Sequence, residues 1–304
     1  MKNVIGIIGP TASGKSDLAH TLARQNGAVL LSCDSLSVFQ EIDIASAKPT
    51  PQEREGLSYF GLDLVKPCGR FGVDEFMVEF ERAKEACVAQ NRPLIIVGGS
   101  GFYLKVLLEG LSTLPPIGAA VQAEVDRLLQ HLPSAYGELT RRDGPYAARI
   151  QPTDRYRIEK GLLIALCTGK SPSEWFGAHP PRPLLKEATL FEVSWPVARL
   201  RDRIHQRTQK MLQKGLIDEV AALEVRCPRN AQAMRSIGIT EVLDYLDGKL
   251  QKEALADLIA THTAQLAKRQ RTFNRGQFPA LRSLPPEEIL PEARAAILTQ
   301  KGQP

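Results

Sequence analysis

Apolar residues along this chain fall into two alternating patterns. Short continuous runs at residues 4–8, 29–31, 94–97 and 189–193 are rich in Val, Ile and Leu and stop at glycine or small polar residues. Runs of that kind read as strands buried on both faces. Between them the apolar positions recur every three or four residues, at Leu18, Ala19, Leu22 and Ala23, and again at Phe76, Met77, Phe80, Ala83 and Cys87. That spacing puts one apolar face on a helix. Strands alternating with helices predict a parallel sheet that holds ligands at its strand C-termini. The pattern breaks at Leu114, Pro115 and Pro116, and from 117 to 185 only helical periodicity remains before the fourth strand resumes the core. The expected organisation is therefore an α/β core in two parts, 1–116 and 186–304, with a helical insertion over 117–185. Further helices are expected from about 197, over 239–246 and over 252–275, and there is no internal repeat or low-complexity segment.

The first strand runs into Gly9, Pro10, Thr11, Ala12, Ser13, Gly14, Lys15 and Ser16, which fit the pattern GxxxxGK(S/T). With a strand before it and a helix after it, this is the context of a phosphate-binding loop. Glycines let backbone N–H groups turn onto phosphate oxygens, and the helix N-terminus adds positive potential. Lys15 is placed to contact the terminal phosphates and Ser16 to join the oxygen shell of a Mg²⁺ ion. The fold class this implies is a P-loop NTPase-like parallel sheet. The loop alone does not choose among ATP, GTP and a diphosphate, so nucleotide binding stays open.

Composition changes this picture in two places. The net charge of +5 is small but unevenly spread. Arg199, Arg201, Arg203, Arg207, Lys210 and Lys214 form one cluster and Lys268, Arg269, Arg271 and Arg275 another, which suits a polyanion such as a nucleic acid. No apolar run reaches membrane-spanning length, and the one after Met1 and Lys2 feeds straight into the phosphate loop, so it is expected to be a core strand and not a signal peptide. The five cysteines, Cys33, Cys68, Cys87, Cys167 and Cys227, form no CxxC pair and are odd in number, which reads most simply as reduced thiols of a cytoplasmic protein.

Candidate chemistry gathers at the strand ends. Asp34 follows the second strand, where a carboxylate would face the ligand and suit a general base, or else cap a turn or assist the metal. Ser35 and Ser100 are hydroxyls at neighbouring strand ends. Arg203 and Arg207 lie four apart, on one helix face, able to converge on a diphosphate or to form a solvated basic face. Gly98, Gly99 and Ser100 follow the third strand without the Asp that serves as second Mg²⁺ ligand in P-loop ATPases, which weakens an ATPase reading.

The loop at 9–16, Ser32 to Ser35, Ala47 to Pro49, Gly98 to Tyr103, Arg203 to Arg207 and Gln265 to Gln270 stand in an order that resembles the tRNA dimethylallyltransferases, or tRNA isopentenyltransferases, over the chain to about Phe273. The resemblance implies transfer of a dimethylallyl group from dimethylallyl diphosphate to N6 of adenine 37 in the tRNA anticodon stem-loop, with Mg²⁺, by a cytoplasmic and monomeric enzyme. It recasts the phosphate loop as a leaving-group site, with Lys15, Arg203, Arg207 and Arg235 on the diphosphate. It makes Asp34 the base and gives Ser100, where the family usually has Thr, a contact to diphosphate or nucleotide. It places tRNA contacts at Asp34, Ser35, Leu36, Ser37, Ser100, Gln122, Arg155, Tyr156, Arg157, Lys268 and Arg271. Two departures stand out. The family commonly reads Arg-x-x-Gly-Tyr-Arg-Gln, whereas Arg235 and Gly238 are here followed by Ile239, Thr240 and Glu241. Gln122 stands where an Arg is frequent. No Cys/His pattern follows the basic helix within these residues, so an appended zinc finger is not expected among them. The competing readings are a P-loop kinase of a nucleoside or other small metabolite, which has no use for the insertion, and a nucleotide-gated RNA binder, which leaves Asp34 unexplained.

Overall fold

The computed structural model describes residues 3–301; Met1, Lys2 and residues 302–304 lie outside the described residues. Two compact units are formed, one from residues 3–108 and 185–301, the other from Glu109–Leu184. The first contains β1 (Val4–Ile8), α1 (Lys15–Asn26), β2 (Val29–Ser32), α2 (Pro51–Arg54), β3 (Ser58–Phe60), α3 (Val73–Gln90), β4 (Leu94–Gly98) and α4 (Gly101–Glu109). The second is wholly helical, with α5 (Ala119–Leu128), α6 (Leu132–Arg142), α7 (Gly144–Ala147), α8 (Arg155–Thr168) and α9 (Pro172–Ala178). The chain then returns to the first unit through β5 (Thr189–Val193), α10 (Val197–Gln213), α11 (Leu216–Glu224), a 3₁₀ turn (Ala233–Arg235), α12 (Ile239–Leu246), α13 (Lys252–Gln277), β6 (Arg282–Leu284) and α14 (Pro286–Lys301).

The sheet is parallel throughout, in the order β3-β2-β4-β1-β5-β6. The chain leaves β1 toward β2 but leaves β4 toward β5, in opposite directions. Loops after these two neighbours therefore part, opening a crevice at their C-terminal ends. One sheet face, with Ile5, Ile7, Leu30, Ile95, Val97, Phe191 and Val193, is covered by Ala19, Leu22 and Ala23 of α1 and by Ile289, Ala293 and Ile297 of α14. On α3, Phe76 and Phe80 are buried, and Phe76 stacks on Tyr103 of α4 at 4.7 Å. The ends of β2 and β4 meet so closely that a Cβ on Gly98 would lie 2.0 Å from the Cys33 carbonyl oxygen, so only glycine fits there.

The helical unit has a core of its own, in which Val125, Leu129, Ala135, Leu139, Ile158 and Leu162 are buried together. It begins before residue 117 because the proline-containing segment belongs to it: Trp175 Nε1 donates to the Thr113 carbonyl at 2.9 Å. One expectation fails. Cys68 and Cys227 form a disulfide, Cα to Cα 5.2 Å, across a sequence separation of 159, while Cys33, Cys87 and Cys167 are free. Nothing in cysteine spacing signals such a pair, because the segment after α11 meets the loop after β3 only in the folded chain, where Gln232 accepts the Phe71 N–H at 3.0 Å and donates to the Phe71 carbonyl at 2.8 Å.

Candidate active site

The phosphate loop departs from ordinary backbone conformations at three places, Gly9 (φ 149), Ala12 (φ 62) and Gly14 (φ 90), and Gly14 is the N-cap of α1. It is braced from outside. Trp195 Nε1 donates to the Ser13 carbonyl at 2.8 Å, and Arg203 Nε donates to the Ala12 carbonyl at 2.8 Å while its guanidinium stacks over the Trp195 ring at 4.8 Å. A third brace comes from α13. Gln270 Oε1 accepts the Thr11 N–H at 2.9 Å, and its Nε2 donates to the Gly99 carbonyl at 3.0 Å. These two bonds fix the orientation of the Gln270 amide and tie the phosphate loop to the loop after β4. A Cβ on Gly99 would lie 2.4 Å from Gln270 Nε2, so the bridge requires glycine at this position. The first N–H groups of α1, at Lys15, Ser16 and Asp17, have no partner within the helix and are available to an anion.

Beside this loop stands the end of β2. Asp34 Oδ1 accepts the Leu36 and Ser37 N–H groups at 2.9 and 3.3 Å, an Asx-type turn that fixes the carboxyl. Ser100 Oγ accepts the Ser35 N–H at 3.1 Å, and the Ser100 N–H reaches the Cys33 carbonyl at 3.0 Å, so the loops after β2 and β4 are joined directly. Asp34, Ser35, Leu36, Ser100, Thr11, Lys15, Arg207 and Arg235 line one cavity of about 600 Å³. Its other walls are largely apolar, with Ile204, Met211, Ile237, Ile259, Leu266 and Phe273.

Four cations line this cavity, Lys15, Arg207, Arg235 and Arg269, and among the described residues none has a carboxylate at salt-bridge distance. Burial pushes the Lys15 ammonium down from 10.5 to about 8, opposed by the nearby Asp34 charge and reinforced by Arg207. Burial also lowers Arg207, again against Asp34. Both side chains are half-buried, and among the described residues the Lys15 ammonium donates only to the Pro10 carbonyl, at 3.3 Å; cations partly withdrawn from water without an anionic partner favour an entering polyanion.

The remaining expected positions divide. Arg203 and Arg207 both line a second cavity, with Lys15, Ser16, Lys210 and Lys214; Arg203 also braces the phosphate loop, and Arg207 reaches the first cavity as well. Gly9, Pro10 and Ser13 line neither cavity, and the Ser13 side chain is buried. Ser37 is buried at 5 % exposure and lies outside the cavity that holds Ser35 and Leu36. Lys268 and Arg271 face away from Asp34, into a groove between α10 and α13 shared with Arg201, His205 and Arg275. In the helical unit, Gln122 Nε2 donates to Asp126 at 3.0 Å, Arg155 Nη1 to the Leu129 carbonyl at 2.7 Å, and Arg157 pairs with Asp154 at 2.5 Å. Tyr156 is 63 % exposed beneath the Lys160 ammonium. Residues not singled out from sequence also enter the main cavity: Arg269, Gln270, Asn274 and the half-exposed Phe102. Arg269 stands in the basic run, but its charge does not distinguish it from Lys268; only the rotation of α13 does.

The IPP transferase family model matches residues 37–277. The chain is 47% identical over 285 residues to a tRNA dimethylallyltransferase of Sulfurimonas denitrificans, covering 94% of this chain and 96% of that one. It is 45% identical over 290 residues to a tRNA dimethylallyltransferase of Wolinella succinogenes, covering 95% and 97%. Among solved structures, a eukaryotic dimethylallyltransferase captured acting on tRNA superposes with a TM-score of 0.83 at 25% identity, over 95% of this chain and 75% of that one. The full-length tRNA isopentenylpyrophosphate transferase of Bacillus halodurans gives 0.72 at 25% identity, over 99% and 98%.

Proposed function

This chain belongs to the IPP transferase family, and from that premise we propose how its cavity performs dimethylallyl transfer to tRNA. The reaction moves the dimethylallyl group of dimethylallyl diphosphate onto N6 of adenine 37: the allylic C–O bond breaks, a C–N bond forms, one proton leaves N6 and diphosphate is released. The observation that carries this reading is the meeting of Lys15 and Arg207, both unpaired, with Asp34 and Ser100 in one cavity whose farther walls are apolar. A site for a diphosphate joined to a short hydrocarbon needs that combination. A kinase of a small metabolite would have no use for the helical insertion or the basic stretch of α13.

In the reaction, negative charge grows on the departing diphosphate, and Lys15, Arg207 and the α1 N-terminus are placed to hold it. The adenine amine becomes acidic only as its new bond forms, and the Asp34 carboxylate, held by two backbone N–H groups, accepts that proton. Asp34 is fixed relative to the leaving group through Ser100 and the Gln270 bridge. For its amine to reach this cavity, adenine 37 must leave its stack in the anticodon loop, a disruption offset by backbone contacts. We assign such contacts to Tyr156, Arg155 and Arg157 of the helical unit and to Lys268 and Arg271 of α13. A Mg²⁺ ion fits the donor set: Ser16 supplies one hard oxygen, and among the described residues no cluster of three His, Cys, Asp or Glu forms a protein cage. That suits an ion held chiefly by diphosphate oxygens and water, which when bound would offset part of the leaving group's charge.

The test is to incubate the protein with dimethylallyl diphosphate, Mg²⁺ and tRNA, digest the tRNA and look for prenylated adenosine. Prenylated adenosine with no ATP consumed is expected. Phosphorylation of a small molecule at the expense of ATP, with unmodified tRNA, would sink the proposal.

A further inference from the structure

Arg235 enters the cavity from a turn and not from a regular element, and its guanidinium forms no side-chain hydrogen bond or ion pair among the described residues. The turn continues through Ser236 and Ile237, which line the same cavity, to Gly238 at φ 93, ψ −41, where α12 begins. A short turn ending in a left-handed glycine needs an external hold to stay in one place. Glu241 supplies it. Its carboxylate is 3 % exposed; Oε2 accepts the Gly238 N–H at 2.6 Å, and Oε1 lies 2.5 Å from His262 Nδ1. A carboxylate only accepts, so His262 Nδ1 is the donor. His262 belongs to α13, between Ile259 and Thr263, both of which line the cavity opposite the turn. The same helix carries Gln270, which bridges the phosphate loop to Gly99.

We propose that Glu241 and His262 are a positioning pair: through the Gly238 N–H they anchor the turn that presents Arg235 to the donor's diphosphate, at a fixed distance from α13 and so from the phosphate loop. Without the imidazole the carboxylate keeps its bonds to the Gly238 N–H and the Thr240 hydroxyl, at 2.6 and 3.0 Å, but loses its tie to α13, so the first turn of α12 is free to move outward, taking Arg235 with it. This inference rests on the reading of the cavity as a prenyl diphosphate site.

The experiment compares His262→Ala, Glu241→Ala and Glu241→Gln, alone and combined with Arg235→Ala, in the full chain. KM for dimethylallyl diphosphate, inhibition by inorganic pyrophosphate, KM for tRNA, kcat and thermal unfolding are measured for each. Arg235→Ala and His262→Ala are each expected to raise the donor KM and the pyrophosphate inhibition constant on the order of tenfold, the effect of removing one charge-assisted hydrogen bond. The tRNA KM should stay within about threefold, whereas kcat should fall along with donor affinity in both variants, because negative charge grows on the diphosphate that Arg235 holds. Glu241→Gln, whose amide oxygen can accept from Gly238 while its NH2 donates to His262 Nδ1 in the tautomer that carries its proton on Nε2, should rescue donor binding that Glu241→Ala loses. In the Arg235→Ala background, His262→Ala should add nothing, because the pair acts through that arginine. An additive effect there, an unchanged donor KM in a folded His262→Ala protein, or an effect confined to tRNA overturns the inference. If the unaltered protein forms no prenylated adenosine, the functional reading itself fails. If it does, and Arg235→Ala weakens the donor while the pair variants do not, only the positioning role is lost.

Discussion

Lys15 should make donor binding depend on pH in a direction set by its surroundings in the cavity. In the free protein, burial holds this ammonium at about 8 rather than 10.5, and the neighbouring Arg207 adds to the depression. Only the charged form pairs with a diphosphate, so affinity should be constant below the depressed value and fall above it. For a single group titrating near 8, the dissociation constant should roughly double at about pH 8 and rise about tenfold at about pH 9 relative to neutral pH. The donor's own last ionisation, near that of a phosphate monoester at about 6, is complete across that range and does not confuse the slope. Binding should also take up a proton, close to three-quarters of one per donor at about pH 8.5, since the bound anion returns Lys15 to its charged state. Titration calorimetry of dimethylallyl diphosphate in two buffers of different ionisation heat measures both quantities. Arg207→Ala should move the fall to higher pH, and Lys15→Arg, which stays charged, should abolish it. An affinity that stays flat to about pH 9.5 in the unaltered protein, with no proton uptake, refutes the reasoning that Lys15 waits desolvated for its anion.

Three further outcomes are expected. Asp34→Asn keeps the turn's shape but removes the proton acceptor, so turnover should fall by roughly 10² to 10⁴ while tRNA affinity changes little; collapse of tRNA binding with normal turnover at saturation would make Asp34 a recognition residue. Replacing Lys268 and Arg271 by Ala should lower the salt dependence of tRNA binding by about 0.7 to 0.9 in slope for each phosphate no longer neutralised, and an unchanged slope in the folded protein would return these side chains to solvent. Cys227→Ser opens the bond to Cys68, which closes a loop with a sequence separation of 159. It should cost about 2–4 kcal/mol, seen as a lower unfolding temperature that dithiothreitol reproduces in the parent protein and not in the variant; identical melting with and without reductant would mean the link contributes nothing.

Local pattern carried much of the architecture. The core strands at 4–8, 94–97 and 189–193 were legible because strands buried on both faces are continuous apolar runs, and α3, α10, α12 and α13 because their apolar stripes recur at helical spacing. Strands β3 and β6 were not, since three residues are too few to show a period, and Arg282–Leu284 is mostly exposed. The form of the phosphate loop was legible for another reason: a turn between β1 and α1 is a local structure whose glycines answer to their own dihedral angles.

What tertiary structure alone decided is how distant side chains pair. Sequence spacing places Lys268, Arg269 and Arg271 on one helix, but the rotation of α13 against α10 turns Arg269 toward Asp34 and the other two into the outer groove. The same rotation sets Gln270 between Thr11 and Gly99, and His262 against Glu241. Arg203 and Arg207 differ likewise, one bracing the phosphate loop and the other entering the cavity. Periodicity specifies which residues share a face of their own helix. Which partner that face meets depends on strand order, crossovers and packing between elements that can be as distant in sequence as α13 and the phosphate loop, and those are properties of the folded chain as a whole.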